Sequence, residues 1–203
     1  MNARARALGV LPAAVCVGAI AALLAAQPGM PALPSYALYY SFEIPLALPA
    51  ITLGDEGARK TYAGTLRGSL GGLPLRAASF SYGTGASAGA GGGTFSLATA
   101  AGEVRDGRIL MTTDGARTTL LFFGIYLGTR LEFSITSDSQ QVGGTGVTAA
   151  GLARTGFASH DDYMAAVRQA VASLPAETRD QIISQADANP RLVRDYQQRP
   201  SSR

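Results

Sequence analysis

Between Leu131 and Thr136, apolar and polar side chains change places at every residue. Leu131, Phe133 and Ile135 alternate with Arg130, Glu132, Ser134 and Thr136. A period of two sends one set to each face of a sheet, so the segment is predicted as a half-buried strand. The same period runs through 62–70. There Tyr62, Gly64, Leu66, Gly68 and Leu70 hold one parity, and Thr61, Thr65, Arg67 and Ser69 hold the other. Gly71-Gly72 follows, and paired glycines supply the positive φ angles of a two-residue hairpin turn. The return strand, Leu73 to Tyr82, switches its apolar parity near Ala77-Ala78, which predicts a bulge.

Further along, 83–93 is a Gly/Ala/Ser tract with nothing to pack, expected as a flexible loop. Residues 94–100 resume a strand. Asp106-Gly107, flanked by Val104 and Ile109, and Asp114-Gly115 are two more hairpin signals. From Arg117 to Leu127 apolar side chains fill both parities, so a central or interface strand covered on both faces is expected. Residues 142–157 hold one more strand. Upstream, 38–53 is apolar but carries Pro45 and Pro49. Proline cannot donate to a central ladder, so an edge strand or extended arm is expected there.

From Ser159 the period lengthens. Ser159 and Asp162 form an S-x-x-D capping box. Tyr163, Met164, Val167, Val171 and Leu174 then fall on one helical stripe. Pro175 closes this helix and opens a second, with Ile182 and Ile183 on its apolar side. Asn189-Pro190 starts a short third segment. Strands joined by tight turns, then helices, predict a mainly β chain: an antiparallel meander forming a small β-barrel or β-roll with a short C-terminal helical segment. The expected layout is a β domain over 38–157, helices packing on it over 158–198 and a tail at 199–203.

The first 37 residues read differently. Arg4 and Arg6 precede an uncharged apolar run from Ala7 to Ala26, followed by Pro28, Pro31 and Pro34. A positive start, an apolar middle and a small-residue end make an export signal. Cutting is expected after Ala26 or after Ala37, where Ser35 precedes in a small-x-small pattern. The alternative is an uncut anchor holding the protein to a membrane through 7–26, since about 20 apolar residues suffice to span one. The protein is therefore expected outside the cytoplasm, secreted or periplasmic.

Composition sharpens this. Cys16, the single cysteine, lies inside the signal, so a mature chain has no disulfide, thiol nucleophile or cysteine metal ligand. The formal charge of +3 includes Arg4 and Arg6. The remaining arginines are scattered, so no nucleic-acid partner is expected.

Candidate chemistry is sparse. Gly85-Ala86-Ser87-Ala88-Gly89 fits the G-x-S-x-G elbow of serine hydrolases, with Ser87 as nucleophile, His160 downstream and Asp106, Asp114 and Asp138 between. The elbow needs a helix after it, and none is predicted. Gly144-Thr145-Gly146 with Ala149 fits G-x-G-x-x-A, yet a dinucleotide site needs a βαβ unit. No cofactor is expected. His160, the one histidine, opens the acidic first turn His160-Asp161-Asp162, so a place at the helix start is expected rather than a metal site. Glu43, Asp55, Glu56, Glu103 and Glu132 are the carboxylates that could pair with a tyrosine for isomerase or cyclase chemistry in a barrel mouth.

Val142-Gly143-Gly144-Thr145-Gly146 resembles the V-G-G-T-G stretch of dirigent and allene-oxide-cyclase-type barrels, which are small antiparallel barrels. The likeness stops at Val147-Thr148-Ala149-Ala150-Gly151, where those families continue with an aromatic residue and an A-x-G step. It implies the fold and carries no site. The leading expectation is a non-catalytic exported binding or structural protein. It would hold a small apolar ligand in the barrel, or form a homo-oligomer through 117–127.

Overall fold

The structure, a computed structural model, describes residues 36–44, 51–56, 59–84, 90–114, 117–138 and 147–199. Ten strand segments are present: β1 (Ala37–Ile44), β2 (Ile51–Glu56), β3 (Arg59–Thr65), β4 (Arg67–Leu70), β5 (Leu73–Thr84), β6 (Ala90–Thr99), β7 (Arg105–Asp114), β8 (Arg117–Tyr126), β9 (Thr129–Asp138) and β10 (Val147–Thr155). Three helices follow: α1 (His160–Ala170), α2 (Ala176–Asp187) and α3 (Asn189–Gln198).

Every pairing is antiparallel. β3 and β4 are two halves of one strand, interrupted at Leu66, and both pair with β5. From there the chain meanders through β6, β7, β8, β9 and β10. β1 then closes the ring between β10 and β4. The result is an eight-stranded antiparallel barrel, in which β2 takes the same side of β3 that β1 takes of β4, away from β5. Closure removes the open sheet edges that would otherwise invite aggregation.

The local signals account for most of this. Gly71 and Gly72 have φ of +60° and +84° and join Leu70 to Leu73. Leu127 and Gly128 make a second such turn, at +49° and +78°, between Tyr126 and Thr129. β5 carries its extra residue between Leu75 and Ala77, where the apolar parity changes. Leu73 is inward before it, and Ala78 and Phe80 after it.

Three expectations are corrected. The 83–93 tract is not a loop throughout: Gly91, Gly92 and Gly93 pair in β6 with Thr84, Gly83 and Tyr82 of β5, an approach that leaves no room for a Cβ at Gly91 or Gly93. Asp106-Gly107 is not a hairpin turn. It lies within β7 as a bulge between Arg105 and Arg108, with Asp106 at φ +53°. The β6–β7 reversal comes earlier, where the Thr99 amide donates to the Gly102 carbonyl over 2.8 Å. Turn chemistry and bulge chemistry need the same positive φ, so the dipeptide alone does not separate them. Residues 38–44 are likewise no edge strand: β1 is paired on both sides. Its ladder ends at Ile44, so Pro45 and Pro49 fall after it, outside the described residues.

The Ser159 hydroxyl accepts from the Asp162 amide at 3.2 Å and caps α1. Tyr163, Met164, Val167 and Val171 are buried as the stripe requires. α1 lies over the end of the barrel that carries the 71–72 turn. The Tyr163 hydroxyl donates to the Gly71 carbonyl at 2.8 Å. A side chain at Gly71 would meet that hydroxyl at 2.6 Å, so glycine serves both the turn and the helix contact. Among the described residues no helix is long and apolar enough to cross a membrane; residues 7–26 lie outside them.

Candidate functional site

Alternation sends one large apolar side chain inward from nearly every barrel strand. Phe42 comes from β1, Phe95 from β6, Phe122 from β8 and Phe133 from β9, all buried. Phe122 and Phe133 sit opposite each other in register, with rings 4.6 Å apart and 7° from parallel. Phe95 meets both edge-on, at 5.2 and 5.9 Å. Phe42 approaches Phe133 at 5.3 Å, and Tyr40 stacks on Phe42 at 5.0 Å. Stacked and edge-on pairs at these spacings are favourable geometries for aromatic quadrupoles. The rings form one aromatic layer across the barrel.

On the helical side of this layer the core is packed with Leu38, Leu70, Leu73 and Leu131, and α1 covers it. On the other side the wall carries Met111, Leu120, Ile135 and Ala149, with half-buried Tyr62 and Tyr82 stacked at 5.1 Å. Ala149 faces Phe42 across the β1–β10 ladder. The interior is thus an aromatic-lined space that can accommodate a small hydrophobic group.

Its polar atoms are few and satisfied. Tyr126 OH meets Thr99 Oγ1 at 2.8 Å, and burial pushes the Tyr126 phenol up to about 12. Tyr40 lies over Gly151, where a Cβ would sit 2.7 Å from its hydroxyl. The Tyr40 hydroxyl donates to the Ser134 carbonyl at 2.6 Å. That bond spans a gap in the wall: β9 and β10 pair only at Glu132–Arg154 and Leu131–Thr155 and then separate. Burial raises Tyr40 to about 12 as well.

A second polar arrangement ties the helices to the barrel. His160 Nε2 and Asp187 Oδ1 are 2.9 Å apart, and His160 Nδ1 lies 2.9 Å from the Tyr36 hydroxyl. The Asn189 amide donates to the Tyr36 hydroxyl and to the Ala37 carbonyl, at 2.6 and 3.1 Å. Asn189 Oδ1 accepts from the Tyr39 amide at 2.8 Å. Asn189 is fully buried. Burial raises the Tyr36 phenol, the Asn189 bond lowers it and the Asp187 charge raises it. His160 does open α1, as expected, but its ring holds Tyr36 and Asp187 together. Residues so far apart in the chain gave no spacing signal. The nearest sequence cue was Asn189-Pro190, read only as a helix start.

The other candidates are dispersed. Ser87 and Gly144-Thr145-Gly146 lie outside the described residues, as do the side chains of Asp55 and Glu56. Glu43 and Glu103 are exposed, and Glu132 pairs with Arg130. Among the described side chains no carboxylate enters the barrel, and no three His, Cys, Asp or Glu residues gather as metal ligands. An outer groove of about 490 Å³ lies beside α1, between Ala166 and Gln169 on the helix and Gly102, Arg105, Ile125 and Leu127 on the barrel. The fold and site define a small closed antiparallel barrel with an aromatic interior and a helical cover. No protein-family model, curated protein or solved structure matches the chain.

Proposed function

We propose that this is an exported, non-catalytic binding protein that takes a small apolar molecule against the aromatic layer of its barrel. The observation that carries the reading is the layer itself, Phe95, Phe122 and Phe133 in mutual contact and Phe42 against Phe133. Concave apolar sites with a few fixed polar groups are the usual form of small-molecule pockets, and a barrel interior is one place they occur.

Export is proposed from the N-terminal pattern, and the fold bears on where a cut would fall. The Tyr36 amide donates to the Phe157 carbonyl at 2.7 Å, Ala37 pairs with Arg154, and Leu38 is fully buried. A cut after Ala37 would remove Tyr36 from this structure, so processing after Ala26 is favoured.

Native mass spectrometry on protein isolated from the envelope or the secreted fraction tests both parts. The expected result is a chain beginning at Gln27 with an apolar molecule attached. Ala149→Phe, which fills the wall beside Phe42, should lose that added mass while keeping the β-sheet circular dichroism. A bare mass under repeated gentle conditions would overturn the binding reading.

A further inference from the structure

β8 divides its apolar side chains between two faces. Leu120, Phe122 and Tyr126 are buried in the barrel. Leu121, Phe123 and Ile125 point the other way, and Leu110 of β7 stands beside Leu121 in register. Leu110 and Ile125 are the exposed large hydrophobics of the described residues, at 44% and 38% exposure. Isolated apolar residues on a surface are ordinary, but a contiguous stripe marks a contact face.

The ladder register orders this face into rows across β7, β8 and β9. One row is Thr112, Thr119 and Thr136. The next is Leu110, Leu121 and Ser134. The third is Arg108, Phe123 and Glu132. The third row is polarised: a cation flanks the aromatic ring on one side and an anion on the other. We infer that this face joins two copies of the chain, face to face, about a two-fold axis running along β8.

The row pattern selects the axis. Rotation about the strand direction exchanges left and right, so β7 of each copy lies over β9 of the other. Arg108 then meets Glu132 of the second copy twice, while Leu121 and Phe123 meet their own equivalents. Rotation about an axis across the strands would set Arg108 on Arg108 and Glu132 on Glu132 if it ran through this row, and would set them on Thr112 and Thr136, unpaired, if it ran through the Leu121 row. Opposite charges aligned across an interface fix register, and like charges exclude the alternative. Self-complementarity of this kind is what an isologous interface requires. Glu132 would sit between its present partner Arg130 and the incoming Arg108. Arg105, Ile125 and Arg130 form the outermost row. Face-to-face sheets cross at about 30°, which turns this row away from its counterpart and leaves its arginines in solvent.

Sedimentation equilibrium on the full chain tests the inference. The wild type should be a dimer. Arg108→Glu and Glu132→Arg should each weaken it by about tenfold or more, since each places two like-charge pairs in the interface. The double variant Arg108→Glu/Glu132→Arg should restore association. Leu110→Asp, at an exposed position, should give a monomer that keeps the β-sheet circular dichroism and melts independently of concentration. A wild-type monomer, including one that binds phospholipid vesicles through this face, overturns the inference. So does a dimer indifferent to the single changes, or one that the double change fails to rescue.

Discussion

The aromatic layer and the clasp at the helical end solve the same problem with opposite materials. In the layer, four strands each contribute a ring, and burial together with ring contact holds them. In the clasp, Tyr36, His160, Asp187 and Asn189 are held by directed bonds. Apolar contact is shared among many neighbours, so its loss is graded and nearby side chains relax into the space. A buried polar set behaves differently. Removing one member strands the rest without partners, at a cost set by their desolvation. The layer should therefore tolerate change of shape, and the clasp should tolerate little change of chemistry.

The strongest way to break the first half of this contrast is Phe122→Ala. Phe122 touches Phe95 and Phe133 and is 2% exposed. Truncating a buried phenylalanine costs about 3–5 kcal/mol. Urea unfolding should show the midpoint falling with little change in slope. Phe122→Leu should cost clearly less, because an apolar neighbour refills much of the space. Equal costs for Ala and Leu would mean that the layer is as rigid as the clasp.

Asn189 tests the other half. Asn189→Ala removes the partner of the Tyr39 amide and the side-chain donor to the Ala37 carbonyl, and leaves the Tyr36 hydroxyl with His160 Nδ1 alone. The expected loss is about 1–3 kcal/mol. Asn189→Asp keeps the shape but cannot donate to the Ala37 carbonyl, so it should be no better tolerated. Hydrogen exchange separates the two regions. Amides of α2 and α3 should exchange faster in both variants, while β8 and β9 keep their protection. Uniform loss of protection would show that helices and barrel unfold as one unit.

The contrast also explains what could be read from the chain. The barrel follows from local rules: the 131–136 alternation, the parity switch near Ala77, and Gly71-Gly72. Each is an expression of strand period or positive φ within a few residues. β1 escaped because its ladder stops at Ile44, whereas the apolar run of the sequence continues to residue 53. Asp106-Gly107 misled because a bulge and a turn share one backbone requirement. The inward direction of Phe133 was legible from parity, whereas that of Phe122 was not, because apolar side chains fill both parities of 117–127; the contact of Phe133 with Phe42 depends on closure of the ring. The clasp was not legible at all. It joins Tyr36 to His160 and Asn189, separated by 124 and 153 residues, and only the packing of α1 and α3 on β1 brings them together.

Alkaline titration offers the subtlest comparison, because tyrosines occur in both regions. Tyr40 and Tyr126 lie in the barrel, and burial pushes each to about 12. Tyr163, between barrel and helix, is raised further by burial. An unfolded tyrosine ionises near 10. The folded state therefore holds protons that the unfolded state has lost, and stability falls as pH rises from about 10 toward 12. Below 10 these phenols are neutral in both states and contribute no pH dependence. Phenolate absorbance from Tyr40, Tyr126 and Tyr163 should accordingly appear only as the sheet signal collapses. Tyr126→Phe removes one of these groups. Its effect at pH 7 should be small, because Thr99 Oγ1 keeps its contacts with the Gly102 carbonyl and the Ala101 amide. Near pH 11 the variant should lose stability less steeply than the wild type. Asp187→Asn acts at the clasp: without that negative charge, Tyr36 should ionise at lower pH while the barrel tyrosines stay unchanged. If all tyrosines ionise together near 10 with the sheet intact, the barrel interior is open to water, and the apolar character assigned to it here is wrong.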